Sequence, residues 1–244
     1  MDVSLYSAAS AMNATERWQD MIAENLSSSS VPGAHQRTAI FSAVPAGQAM
    51  LGNEHLVVPF ANSAVNFSQG ELRATSGNMD FAVEGPGFFS VQMPDGSKGY
   101  TRDGQFKLNA QGQLVTKQGY PVMSDSGLLQ FDPNNSAPIK VSSDGLVSQG
   151  SEPKGKISIA EFKTPSQLTT IGGGYYRNDV PNMLPQPALN TKVHQGFIEQ
   201  ANTSPTLAMA SMLTAMRMYE SNEKVMQMQN DRMGRTITDL SGAN

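Results

Sequence analysis

The chain has 244 residues, of which 16% are charged, a net charge of −4 and no cysteine. That length allows one large domain or two modest ones; the acidic balance argues against a nucleic-acid partner, and the lack of thiols excludes disulfides, thiolate zinc sites, iron–sulfur clusters and cysteine nucleophiles. No run of about 18 apolar residues suggests membrane insertion, and Asp2, Glu16, Arg17 and Asp20 leave no basic-then-apolar leader, so any export is expected to proceed without an ordinary cleavable signal.

Residues 3–26 contain neither Gly nor Pro, and Leu5, Ala8, Met12, Ala14, Trp18, Met21, Ile22 and Leu26 recur at helical spacing. The spacing predicts an amphipathic helix that stops in "SSSSVPG", at Pro32 and Gly33. Residues 1–40 form this helix and its turn, and 41–70 read as a connector. From about Gly70, turn signals such as Asp95-Gly96, Asp103-Gly104 and Asp144-Gly145 separate short β-rich runs, among them "GFFSVQM", "QFKLN" and "KISIAEF". Asp-Gly between such runs favours hairpin turns, so 71–195 is expected to be a central antiparallel β domain. Within it, Gly172 to Pro187 reads as loop.

Residues 196–244 carry a second helix, with Ser204 as its N-cap and Pro205 at its first position. Met212, Tyr219, Met226, Met233 and Leu240 stand seven apart, and Met209, Met216 and Ile237 form a second seam. A repeat of sevens predicts coiled-coil-like packing. The fold class is therefore α+β: a central antiparallel all-β domain between long terminal helices that pair with each other or with other chains, because a lone helix cannot bury such a stripe.

The chemistry is sparse. "VEGPGFFSV" (83–91) lacks the third glycine and the following helix of a dinucleotide loop, so Gly85-Pro86-Gly87 reads as a turn that delivers Phe88 and Phe89 to a strand, with at least one ring facing the core. "IGGGYY" is not followed by Lys-Ser or Lys-Thr. His35, His55 and His194 are too far apart for a ligand motif and read as surface or loop residues. No nucleophile elbow or acid pair appears. No catalytic residue, cofactor, metal or small-molecule substrate is expected.

Four segments resemble the axial proteins of the bacterial flagellum, which build its rod and hook. The first helix and turn match at Asn25, Leu26 and Gly33, with Ser28, Val31 and Ala34 departing from the pattern. The most specific block, 68–123, matches at Asp80, Gly85, Gly87, Phe88, Phe89, Tyr100, Thr101, Arg102, Gly104, Phe106, Gly112 and Leu114. "QGFIEQANTSP" matches at Gly196, Glu199, Asn202 and Pro205, and the last helix at Arg217, Tyr219 and Glu220. Length and the short 41–70 segment are more similar to the proximal rod member, the distal one being the alternative.

The resemblance implies a non-enzymatic subunit exported through the flagellar type III apparatus. Copies of it, with other axial proteins, would form a helical tube across the periplasm that transmits torque and conducts exported subunits. The assembly interface would comprise Leu5, Met12, Trp18, Ile22, Asn25, Leu26, Met209, Met212, Met216, Tyr219, Met226, Met233 and Ile237. The rival class is a periplasmic glycan- or protein-binding module with dimerising helices, which would need an exposed aromatic platform on the β domain. A peptidoglycan hydrolase is a third, weaker reading, because the chain supplies no acid pair.

Overall fold

A computed structural model describes residues 3–45, 57–133, 135 and 137–241. The chain is α+β and divides into two compact units. The first comprises Met1–Leu26, Arg37–Val65 and Pro205–Asn244; the second comprises Ser27–Gln36 and Asn66–Ser204.

In the first unit, α1 (Val3–Ser28) and α2 (Pro205–Ser241) are joined by a strand pair, β1 (Arg37–Pro45) and β2 (Val57–Val65), antiparallel and in unbroken register from Arg37 opposite Val65 to Pro45 opposite Val57. Most of the described residues of the expected connector are thus strand. Pro59 argues locally against a strand, but β2 pairs on one side alone, and an edge position tolerates proline. Helix α1 continues through the serines as far as Ser28. Its exit is closed by the Val31 N–H on the Ser28 carbonyl (2.9 Å), and Gly33 takes φ +67°.

The helices meet through Ile22, Ala208 and Ala215, flanked by Trp18, Leu26 and Met212, while Ala14 and Met21 of α1 pack on Ala61 and Ala39 of the strand pair. On α2 the covered or half-covered positions among the described residues are 208, 211, 212, 215, 219, 222, 226, 229 and 233. Apart from 211, these positions follow one another in steps of four and three. Their second row is Ala208, Ala215, Asn222 and Gln229, where the expectation placed Met209 and Met216, which are 55% and 48% exposed. Alanines at 208 and 215 let α1 approach, and a methionine on that row would hold it off. Gly234 does not interrupt α2, because a single helical glycine costs only about 1 kcal/mol.

The second unit carries the remaining strands: β3 (Leu72–Ala74), β4 (Phe81–Glu84), β5 (Gly87–Gln92), β6 (Lys98–Thr101), β7 (Lys107–Leu108), β8 (Leu114–Val115), β9 (Met123–Ser124), β10 (Gly127–Leu128), β11 (Ile139–Val141), β12 (Leu146–Gln149), β13 (Glu152–Lys156), β14 (Ile159–Glu161), β15 (Thr169–Gly172), β16 (Tyr175–Arg177), β17 (Gln186–Pro187), β18 (Lys192–Gln195) and β19 (Phe197–Glu199). All pairings among these strands are antiparallel. The largest sheet has the order β15-β16-β6-β5-β14-β17.

Its central strand β5 is buried on both faces. Phe89 and Val91 enter a core with Phe81, Phe106, Leu114, Val122, Leu129 and Phe131. On the other face, Phe88 meets Phe67, Phe162 and Tyr176. Both rings are therefore interior. The segment read as loop from Gly172 holds the last residue of β15 and all of β16 and β17, and the glycine triplet is the hairpin turn itself. Gly172, Gly173 and Gly174 take φ +106°, +62° and +81°, which residues with a Cβ seldom adopt.

Candidate functional site

Two regions stand out, one in each unit. In the second unit the turn between β4 and β5 is closed by a buried cation. Arg102, just past β6, donates from Nη2 to the Gly85 carbonyl (2.7 Å) and from Nη1 to the Glu199 carboxylate of β19 (3.1 Å). The guanidinium also lies 4.7 Å from the centroid of the Phe88 ring. Arg102 and Glu199 side chains are 2% and 1% exposed. The other Glu199 oxygen accepts the Gly70 N–H (2.8 Å), and its backbone carbonyl accepts that of Gly33 (2.8 Å). Burial pushes the Glu199 carboxyl up from the usual range, and Arg102 opposes that shift. A Cβ on Gly33 or Gly70 would run into the backbone of Arg102 or Gln200, so these glycines are close-approach positions.

Asn202 extends this clamp. Its Oδ1 accepts the Gln36 N–H (2.6 Å), its amide nitrogen donates to the carbonyls of Asn66 and Ser68 (both 2.8 Å), and its own N–H reaches Ala34 (3.2 Å). The runs 33–36, 66–70 and 199–202 are thereby tied together inside the second unit. These are the runs through which the chain enters and leaves that unit.

His35 sits here and not on the surface. It is 6% exposed, its Nδ1 is 3.1 Å from the Tyr176 hydroxyl, and its ring lies 5.0 Å from that of Phe67. Burial, and then the Arg102 charge, lower its pKa to about 3. Local sequence could not show this, because its aromatic neighbours lie far along the chain. His194 pairs with Glu84 (2.7 Å), and His55 lies outside the described residues. Among the described residues, no three His, Asp or Glu side chains could hold a metal, and no helix is long and apolar enough to cross a membrane.

The other motif residues shape turns and core. Asp80 accepts the Thr75 hydroxyl (2.7 Å) and, at its carbonyl, the Gly196 N–H (2.7 Å). The Thr101 hydroxyl donates to the Gly174 carbonyl (2.9 Å) and accepts the Asp103 N–H (3.0 Å). Gly104 packs where a Cβ would meet the Phe81 carbonyl, Gly87 lies against Ile159 and Thr191, and Tyr100 stacks edge-on with Phe162. Pro205 opens α2. Phe81, Phe88, Phe89, Tyr100 and Phe106 are all buried, so none of them can form an exposed glycan platform. Gly85, held by Arg102, is likewise not an open phosphate cradle.

In the first unit, Ile22 is buried, Trp18, Leu26 and Met212 pack around it, and Met12, Tyr219, Met226 and Met233 are half-buried. Asn25 exchanges two hydrogen bonds with the Arg37 backbone (both 2.7 Å), fixing the end of α1 to the start of β1. The side chains of Leu5 and Ile237 lie outside the described residues. Away from the covered seam, α2 presents Leu207, Met209, Leu213, Met216, Met218, Val225 and Met228 to solvent.

Comparison with known proteins matches residues 82–149 to the flagellar hook protein FlgE/F/G D1 domain and residues 194–239 to the flagellar basal body rod FlgEFG protein C-terminal family. The flagellar basal-body rod protein FlgF of Caulobacter vibrioides is 34% identical over 230 residues, 93% of each chain. The rod protein FlgG of Borreliella burgdorferi is 32% identical over 257 residues, 95% of this chain and 96% of its own. FlgF of Escherichia coli is 29% identical over 256 residues, 99% of each. One matched span supplies Arg102 and Gly85 of the clamp, the other Glu199 and Asn202, and with relatives aligned over nearly its whole length the chain belongs to the flagellar basal-body rod protein family, as a structural subunit of the rod.

Proposed function

We propose that the chain is a proximal-rod subunit that assembles with copies of itself and with other axial proteins into a helical tube. Heterologous contacts that do not close produce such a tube. Helices α1 and α2 pair in coiled-coil fashion with each other and with neighbouring subunits to line its wall, through the thirteen interface residues named above. The β unit carries the outer surface, and the assembly transmits torque and conducts exported subunits across the periplasm. The chain reaches that site through the flagellar type III apparatus, without a cleavable signal and without catalysis.

The observation that carries this reading is the apolar flank of α2. A 37-residue helix that keeps Leu207, Leu213, Met216 and Met228 in water, with one seam already covered, has apolar surface that association would bury. The distal rod is the second reading, favoured by FlgG relatives that align over almost the full chain.

Leu213→Asp tests assembly without disturbing the covered seam, since Leu213 is solvent-facing in the single chain. A charge buried against a neighbour is costly unless paired. The variant should be secreted and folded yet leave cells non-motile and basal bodies without it; normal swimming would remove α2 from the interface. Labelled subunits imaged in purified basal bodies, at the base or at the tip of the rod, decide between the two rod positions.

A further inference from the structure

The run Ser27–Gln36 belongs to the second unit, but both chain neighbours, Leu26 and Arg37, belong to the first. Backbone ties hold it: the Gly33 N–H to Glu199, the Gln36 N–H to Asn202, the Asn202 N–H to Ala34 and the Asn66 N–H to the Gln36 carbonyl. Beside them it sinks Ala34 and His35 into the interior, and His35 is the one titratable side chain of the run. That ring lies among Phe67, Phe88 and Tyr176, with centroids 5.0, 6.2 and 5.8 Å away. Its Nε2 is buried and has no hydrogen-bond partner among the described residues.

The charges near this box offer an imidazolium nothing. Arg102, packed on the Phe88 ring, is a cation. Glu199 is committed to Arg102 and to the Gly70 N–H, and Asp103 turns its carboxylate to the Gln105 N–H. The remaining titratable neighbour, Tyr176, offers only a hydroxyl, to Nδ1. A second proton on this ring would place an unpaired N–H⁺ in an aromatic enclosure beside a guanidinium, a costly arrangement when released imidazole is fully solvated.

We infer that His35 is an acid-sensitive latch, which when protonated releases residues 27–36 from the second unit while the β core of that unit stays folded. The inference rests on the clamp and is independent of which rod position the subunit takes. The closed position of the latch is favoured above the ordinary titration range of histidine and lost as the pH falls below it.

Amide exchange in the full-length chain, corrected for the intrinsic pH dependence, tests this. Between pH 6.5 and 4.5 the Gly33 and Gln36 amides should exchange roughly 50-fold faster, as expected for a ring that titrates at 6.5 when released and at about 3 when held. Amides of β5 such as Ser90, bonded to Ser158, should not change. In His35→Phe, which fills the box without titrating, the acceleration should vanish. An equal acceleration in that variant, none in the parent, or one shared by β5 overturns the latch. Direct titration of the parent imidazole by NMR needs no variant: a midpoint far below 6.5 supports the latch, and one near 6.5 in the folded protein overturns it.

Discussion

The residue with most consequence in the second unit is Glu199. Its carboxylate joins β19 to Arg102, Gly70 and, through Arg102, the β4–β5 turn, at 1% side-chain exposure. Removing one partner of a buried ion pair leaves the other charge uncompensated and costs about 3–5 kcal/mol. Glu199→Gln keeps the shape and an acceptor for the Gly70 N–H but strands the guanidinium, so it should destabilise the second unit by about that amount. Chemical denaturation followed by circular dichroism checks this, and a loss below 1 kcal/mol would mean that the pair is dispensable. The pH signature has a definite sign. Because burial raises the Glu199 carboxyl above its ordinary 4.5, the burial cost of the charged form is absent below 4.5 and is incurred as the pH rises through the folded value, with Arg102 compensating part of it; in Glu199→Gln that pH-dependent component disappears. Half of this arrangement was legible beforehand. Gly85, Arg102 and Glu199 were each visible in motifs, but their meeting was not, because it joins runs nearly a hundred residues apart. His35 was misread for the same reason, since none of its enclosing rings is close in sequence.

At the scale of elements, periodicity located both helices and the sevens of α2; within the single chain the covered second row is Ala208 and Ala215, one residue before Met209 and Met216, which stay exposed. Methionine is the bulkier and more conspicuous side chain, so Met209 and Met216 looked like core. Close helix packing selected Ala208 and Ala215 instead, and small residues carry no hydropathy signal of their own. The assignment makes contrasting predictions. Ala215, fully buried, should lose about 1–3 kcal/mol on Ala215→Leu, because a filled seam must shift α1 to admit the larger side chain. Ile22→Ala should cost about 2–5 kcal/mol. Met209→Ala, on the exposed flank, should stay within about 0.5 kcal/mol in the single chain. Thermal melts of the helical signal compare the three, and a Met209 loss equal to that at Ala215 would restore the row read from the sequence. Turns were legible where chemistry demands a residue type, as at Asp95-Gly96. The β1–β2 ladder was hidden by Pro59, and the β15–β16 hairpin by glycines that look like loop but are needed by its turn.

For the molecule as a whole, the two units differ in what holds them. The second encloses Phe81, Phe89, Phe106, Leu114, Leu129 and Phe131 in one core, each side chain removing a large apolar area from water. Among the described residues, the first is held by small clusters in which alanine dominates: Ala14, Met21 and Ala61 in one, Ile22, Ala208 and Ala215 in the other. Burying an alanine methyl contributes far less than burying a phenylalanine, whereas ordering each backbone residue costs about 1–2 kcal/mol in either unit. The isolated chain should therefore unfold in two steps, the first unit at lower denaturant. The chain carries its own reporters, because the single tryptophan, Trp18, lies in the first unit and Tyr100, Tyr175 and Tyr176 are buried in the second. Tryptophan fluorescence should change at a lower urea concentration than the near-ultraviolet dichroism of the tyrosines, and coincident transitions would show a single cooperative unit. In the proposed tube, neighbouring subunits supply apolar partners to the first unit, so in assembled rods the Trp18 transition should move to higher urea by mass action. A Trp18 transition unchanged by assembly would mean that the helices gain nothing from their neighbours, and the proposed tube wall would have to be built from other surfaces.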